Sequence, residues 1–404
     1  MDQNCTFILP HFKLESGITL QSVNVAFKTW GTLNAERNNV MLICHPFTGS
    51  ADVYKWQAHR VPPPIQAVHS SFFLFVRWSS LMGCGKAFDH TRFFIFCAND
   101  LGSPFGSTSP ISTDPSTGKA YGPKFPATTI RDDVRLHKLV LDHLGITSIA
   151  VAIGGSMGGM TVLEWQLCFP GFVHRAIPMA TCAKQSAWCI GQGELKRQII
   201  RLDPAFQGGY YAANRPPTQG LATARMVGLM SYQSPDSFED RFGRRVQEEP
   251  APHAQQAIQL STEEDTEYPF YATQSYLRAK GASFSNVFDA NCYLHIIRKM
   301  DTHDITRDRV PLSSPVLGSH NPDPDAALTA LLATLPPRPL IISISSDILC
   351  PPHEQALLAQ NIPEAELVVI ESMAGHDGFL VEHERINEAV VQYLEREFPE
   401  LYSD

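Results

Sequence analysis

Apolar residues in the first half of the chain fall in short unbroken runs: NVMLICH (39–45), RFFIFCAND (92–100) and SIAVAIGG (148–155). Runs of this kind predict parallel strands covered on both faces. Between the second and third lies TTIRDDVRLHKLVLDHLG, where Val134, Leu136, Leu139, Leu141 and Leu144 recur near helical spacing and Gly145 supplies a stop. The pattern therefore predicts strand, helix, strand. Residues 157–169 follow with a helix-like pattern that ends before Pro170, and VHRAIPMATC (173–182) offers a further strand. The pattern returns near the far end with PLIISISSD (339–347), a helix over 352–360, ELVVIES (366–372) and the amphipathic VEHERINEAVVQYLEREF. The sheet is thus assembled from both ends of the chain.

The stretch 184–320 reads differently. Fragments such as KRQIIR, GLATARMVGLMSY and YLRAKGASFSNVFDANCYLHIIRKM have helical character and no strand series. They predict a mostly helical insertion over the sheet edge, closed by the Pro-, Ser- and Asp-rich segment 308–325. The expected organisation is an α/β core over 1–183 and 321–404, with the insertion between.

Composition narrows the function. Lys plus Arg number 32 and Asp plus Glu 41, a net charge of −9. The one dense basic cluster, Arg241, Arg244 and Arg245, is followed at once by Glu248 and Glu249. A nucleic-acid partner is not expected, because backbone affinity rests on clustered cations. Hydrophobic content of 44% with 18% charged residues excludes a disordered chain. The start, MDQNCTFILPHFKLESG, does not read as a signal peptide, and the longest apolar stretch, 72–78, is interrupted by Arg77. Neither membrane span nor membrane partner is expected. Nine scattered cysteines without metal-ligand spacing read as reduced thiols of a cytoplasmic protein, with no metal site.

The strongest chemical signal is AIGGSMGGM, where Gly154, Ser156 and Gly158 form G-x-S-x-G between a strand and a helix. Glycines at that junction permit a strained turn that holds the serine oxygen outward, and the helix N-terminus beyond favours developing negative charge. A serine hydroxyl needs a base, so an acid and then a histidine are sought downstream. Asp347 follows PLIISIS and His376 follows ELVVIES, so both lie at carboxyl ends of predicted strands, as Ser156 does. In a parallel sheet those ends line one edge. His45 and His320 are poorly placed rivals for the base. Acyl transfer also requires oxyanion donors: the N–H of Met157, just after the serine, and that of Phe47 in the loop HPFTGS after the first run.

GGSMGGMTVLEWQ, NDLGSPFGSTSP, YGPKFPATTIRDDV, GLATARMVGLMSY, FDANCYLHIIRKMDTHD, SSDILCPPHE and GHDGFLVEHE together resemble the homoserine O-acetyltransferase family of α/β-hydrolase-fold acyltransferases, in order and over nearly the whole chain. Within it, SPFGS is similar to the deacetylcephalosporin-C acetyltransferases of fungal secondary metabolism. The resemblance implies an α/β-hydrolase fold and a ping-pong reaction: Ser156 takes an acetyl group from acetyl-CoA, a co-substrate, and a small hydroxylated compound removes it. No tightly bound cofactor is implied, and a homodimer through the insertion is. The family's substrate-binding arginine matches Arg225, for a carboxylate, and the aspartate after the histidine matches Asp377, for an ammonium group. Arg197 is a second candidate for an anionic group.

Three departures stand out. Gly193 replaces an asparagine, GLMSY replaces the family's GHLTY, and HRVPPPIQAVHSSFFLFVR interrupts the region between Trp56 and Trp78. Lost polar groups imply an acceptor larger or more apolar than homoserine. An ester or thioester hydrolase with the same Ser-His-Asp set is the alternative. The acyl donor stays open as well, since the sequence offers no clear cationic pocket for a second carboxylate, such as that of a succinyl group.

Overall fold

The computed structural model describes residues 3–55, 78–247, 269–309 and 324–403. Its centre is an eight-stranded sheet. In chain order the strands are β1 (Gln3–Lys13), β2 (Thr19–Trp30), β3 (Val40–Cys44), β4 (Phe94–Ala98), β5 (Ile149–Gly155), β6 (Val173–Met179), β7 (Leu340–Ile344) and β8 (Glu366–Ile370). Their spatial order is β1-β2-β4-β3-β5-β6-β7-β8. All pairs from β4 to β8 are parallel, and the first two strands join antiparallel. Every expected strand is present, and the sheet does draw on both ends of the chain. The leading hairpin is additional.

The unbroken apolar runs have the reason expected of them. Along β3, Met41 and Ile43 belong to one core cluster while Leu42 and Cys44 belong to the cluster on the other face. On β5, Val151 and Ile153 go one way and Ala152 the other. Helices α1 (Ile130–His143) and α2 (Met157–Cys168) cover one side. A capping box starts α1, Thr129 accepting from the Asp132 N–H and Asp132 from that of Thr129, and Gly145 at φ +71° follows its end.

Between β6 and β7 the described chain carries α3 (Ala187–Leu202), α4 (Thr218–Tyr232), α5 (Pro235–Arg241), α6 (Ala272–Ser285) and α7 (Ala290–Asp301), with a two-residue strand pair, Val246–Gln247 and Phe270–Tyr271. The segment leaves and re-enters the core at one place: Gln185 N–H donates to His303 O at 2.9 Å and Ile305 N–H to Ala183 O at 3.1 Å. Its last helix is tied to α1 by Lys299, whose ammonium donates to Leu101 O at 2.7 Å and ion-pairs with Asp133. Helix α8 (Pro324–Leu332) then packs with α9 (Pro352–Asn361) against β7, and α10 (His383–Glu397) is followed by a single helical turn, Pro399–Tyr402. Residues 310–323 of the expected closing segment, including His320, lie outside the described residues, as does the 58–77 interruption. Trp78, just after that interruption, is buried and donates to Phe379 O at 3.1 Å. No helix among the described residues is long and apolar enough to cross a membrane.

Candidate active site

Ser156 stands between β5 and α2 with φ 57° and ψ −125°. A positive φ in a non-glycine residue is strained and persists only when its surroundings enforce it. Here they do. A Cβ on Gly154 would lie 2.6 Å from the Gly158 backbone, one on Gly158 would lie 2.2 Å from Cys44 O, and one on Gly159 would meet the Thr181 side chain at 2.6 Å. The helix therefore starts hard against the end of β3. Thr181 fixes the turn from the next strand by donating to Ser156 O at 2.8 Å.

His376 lies six residues past the end of β8 and Asp347 three past β7. Both are buried, and His376 Nδ1 is 2.7 Å from Asp347 Oδ2. A carboxylate only accepts, so Nδ1 carries the proton and Nε2 is left as the acceptor. The other oxygen of Asp347 accepts from the N–H groups of Leu349 and Cys350, each at 2.8 Å. Burial pulls the His376 pKa down, but the charge and hydrogen bond of Asp347, with Asp377 adding, outweigh it, so the net displacement is upward. The histidine loop is wedged in place: Gly375, at φ +69°, would carry a Cβ 2.6 Å from Ser234 N, and Phe379 fills the space over Gly155.

The loop after β3 meets the same helix start. Phe47 and Met157 share one apolar cluster, and the Phe47 ring packs 4.8 Å from that of Tyr293 on α7. The Phe47 N–H makes no backbone hydrogen bond among the described residues. Met157, first residue of α2, has no intrahelical partner for its own N–H. Both N–H groups are thereby left without a backbone partner among the described residues. His45, the rival base, is spent on structure: its Nε2 accepts from Asp100 N–H at 3.1 Å and its Nδ1 donates to Pro46 O at 2.9 Å. Burial, the larger influence, holds it neutral with a pKa of about 4.

Arg225 is buried on α4, its guanidinium 5.3 Å from the Tyr232 ring centre and 4.8 Å from that of Phe284. Its Nε has no hydrogen-bond partner among the described residues. Asp377, beside the histidine, feels the Arg225 charge; burial raises its carboxyl, and Arg225 and His376 pull it back. Arg225 and Asp377 are thus brought together with His376. Arg197 is not. Its Nε donates to Glu194 at 2.7 Å and its Nη1 pairs with Asp301, so the guanidinium is committed to an ion-pair network between α3 and α7. Gly193 sits by that network too: a Cβ there would be 3.0 Å from Ile297 and 3.1 Å from Asp301.

Sequence reasoning missed Tyr232, whose ring centre lies 6.4 Å from that of His376, and Lys196, whose ammonium lies 5.2 Å from the same tyrosine ring. A buried aromatic at the end of a helix gives no local sign that it faces a histidine more than 140 positions on.

Fold and site together define the class. A family model described as alpha/beta hydrolase fold matches residues 39–383, and the chain has that fold. The homoserine O-acetyltransferase of Cryptococcus neoformans var. grubii is 40% identical, over 98% of this chain and 88% of the relative. Among solved structures, homoserine O-acetyltransferase from Bacillus anthracis superposes with a TM-score of 0.78 at 25% identity, covering 98% of each chain. Esterase E22 does so at 0.77 and 26%, covering 98% of this chain and all of the other. The chain belongs to the homoserine O-acetyltransferase family.

Proposed function

We propose that the protein transfers an acetyl group from acetyl-CoA, through an acyl-serine, to the hydroxyl of homoserine or a related small alcohol. The observation that carries this reading is the 2.7 Å contact between His376 Nδ1 and Asp347, buried at the strand edge that also presents Ser156. His376 Nε2 takes the Ser156 proton as the serine oxygen attacks the thioester carbonyl, and the N–H groups of Phe47 and Met157 hold the resulting oxyanion. The tetrahedral species collapses, the C–S bond breaks, and the proton on Nε2 goes to the departing thiolate. The acceptor hydroxyl then gives its proton to Nε2, attacks the acyl-serine and restores Ser156. Arg225 takes the acceptor's carboxylate and Asp377 its ammonium group. Water has to be excluded for transfer to outrun hydrolysis, and that is the role assigned to the helical insertion.

Hydrolysis of esters or thioesters is the second reading, favoured by the likeness to esterase E22. Product partition separates the two. Incubation with acetyl-CoA and L-homoserine is expected to release CoA together with the O-acetyl product, whereas acetate as sole acyl product would establish the hydrolase. Turnover in Ser156→Ala is expected to fall on the order of 10⁴-fold or more.

A further inference from the structure

Lys280 lies on α6 and is only 7% exposed. No ion pair or hydrogen bond to its ammonium is made among the described residues; the ammonium lies 5.8 Å from the centre of the Tyr276 ring. The charges that reach it are Arg241 and Arg225, which repel it, and Asp377, which attracts it. A buried cation within reach of another, Arg225, is costly unless an anion joins it.

Packing holds it there. The next residue, Gly281, would carry a Cβ 2.6 Å from Ala222 O, so the backbones of α6 and α4 touch at that point. Ala222 is one turn before Arg225. Lys280 and Arg225 therefore flank a rigid helix crossing, and both are within electrostatic range of Asp377, next to His376.

The charge balance of an amino-acid acceptor then fails to close. In the reading proposed above, the acceptor's carboxylate neutralises Arg225 and its ammonium group occupies Asp377. That leaves Lys280 buried without a counter-charge of its own among the described residues. We infer that the acceptor site is built for a hydroxylated amino acid or derivative bearing a second anionic group, a carboxylate, which Lys280 receives. This rests on the acceptor assignments of Arg225 and Asp377. It also supplies the cationic position for a second carboxylate that the sequence did not reveal. The same chemistry has another source, a carboxylate on the acyl chain, which the test keeps apart.

Binding is measured by calorimetry with the whole protein, using 2-aminobutyrate, norvaline and norleucine against glutamate, 2-aminoadipate and 2-aminopimelate, all in the L form. At least one dicarboxylate is expected to bind tenfold or more tightly than its monocarboxylate counterpart. Lys280→Gln is expected to abolish that advantage and Lys280→Arg to keep it. Arg225→Gln, in contrast, weakens both series. Equal affinity of the two series, or an advantage that survives in Lys280→Gln, would overturn the inference. So would a Lys280-dependent preference for succinyl-CoA over acetyl-CoA without a dicarboxylate advantage, which places the second anion on the donor. Release of CoA in a burst on mixing with acetyl-CoA tests acyl-serine formation separately, so failure of the acceptor inference is not confused with failure of the acyl-transfer reading.

Discussion

The pKa of His376 is set by two opposed influences, burial pulling it down and the Asp347 carboxylate lifting it, and the carboxylate prevails. The base works only when neutral. An upward displacement therefore puts the acid limb of the kcat/KM profile above the usual imidazole value, with activity rising as pH rises through it. In Asp347→Asn the lifting charge is gone and burial remains, so the limb is expected to move to lower pH while the plateau falls by roughly 10³- to 10⁴-fold, since the wrong tautomer is then favoured. A pH–rate series on both proteins checks this; an unmoved limb would mean that another group titrates. At this scale the strand-to-helix place of Ser156 and the positions of Asp347 and His376 after their strands were legible, because order along the chain and apolar runs are local features. Tyr232, Lys196 and Lys280 were not. A lysine on a helix ordinarily belongs to a solvated face, and only the packing of α4 against α3 and α6 buries these.

At the scale of elements, close backbone approach decides where the site residues stand. Gly375 permits the histidine loop to lie against the junction of α4 and α5. Gly375→Ala adds a methyl at a positive φ and 2.6 Å from Ser234 N. It is expected to destabilise the protein by about 1–3 kcal/mol and to lower kcat on the order of 10²-fold, the consequence of a base displaced by about 1 Å. Thermal unfolding and steady-state rates measure the two effects. The parallel strands were readable because burial on both faces leaves unbroken apolar runs. The leading hairpin escaped that criterion. β2 has alternating exposure, with Val23, Val25 and Phe27 inward, and on the edge strand β1 Pro10 is left unpaired within an otherwise constant register. The alternation at Val23, Val25 and Phe27 was the signal that could have found it.

For the molecule as a whole, the insertion and the core are joined by buried polar contacts as well as by the apolar cluster around Phe47, Met157 and Tyr293. Lys299 on α7 reaches Asp133 on α1, with both side chains almost wholly buried. Lys299→Met would leave that carboxyl group without its counter-ion. A loss of about 3–5 kcal/mol is expected in denaturant unfolding, the usual result of breaking one side of a buried pair. A change below about 1 kcal/mol would show that this contact does not hold the insertion to the core. The helical character of the stretch between β6 and β7 was legible from the change in periodicity, but its attachment was not, because the pairing of Lys299 with Asp133 spans 166 positions.

In the proposed reaction Ser156 carries the acyl group and His376, set by Asp347, activates it. Rapid quenching after mixing with acetyl-CoA, followed by peptide mass spectrometry, tests it directly. One acetyl group per chain on the peptide containing Ser156 is expected, formed far more slowly in Asp347→Asn and absent in Ser156→Ala. Acetylation at another residue, or a burst of CoA undiminished in Ser156→Ala, would contradict the account.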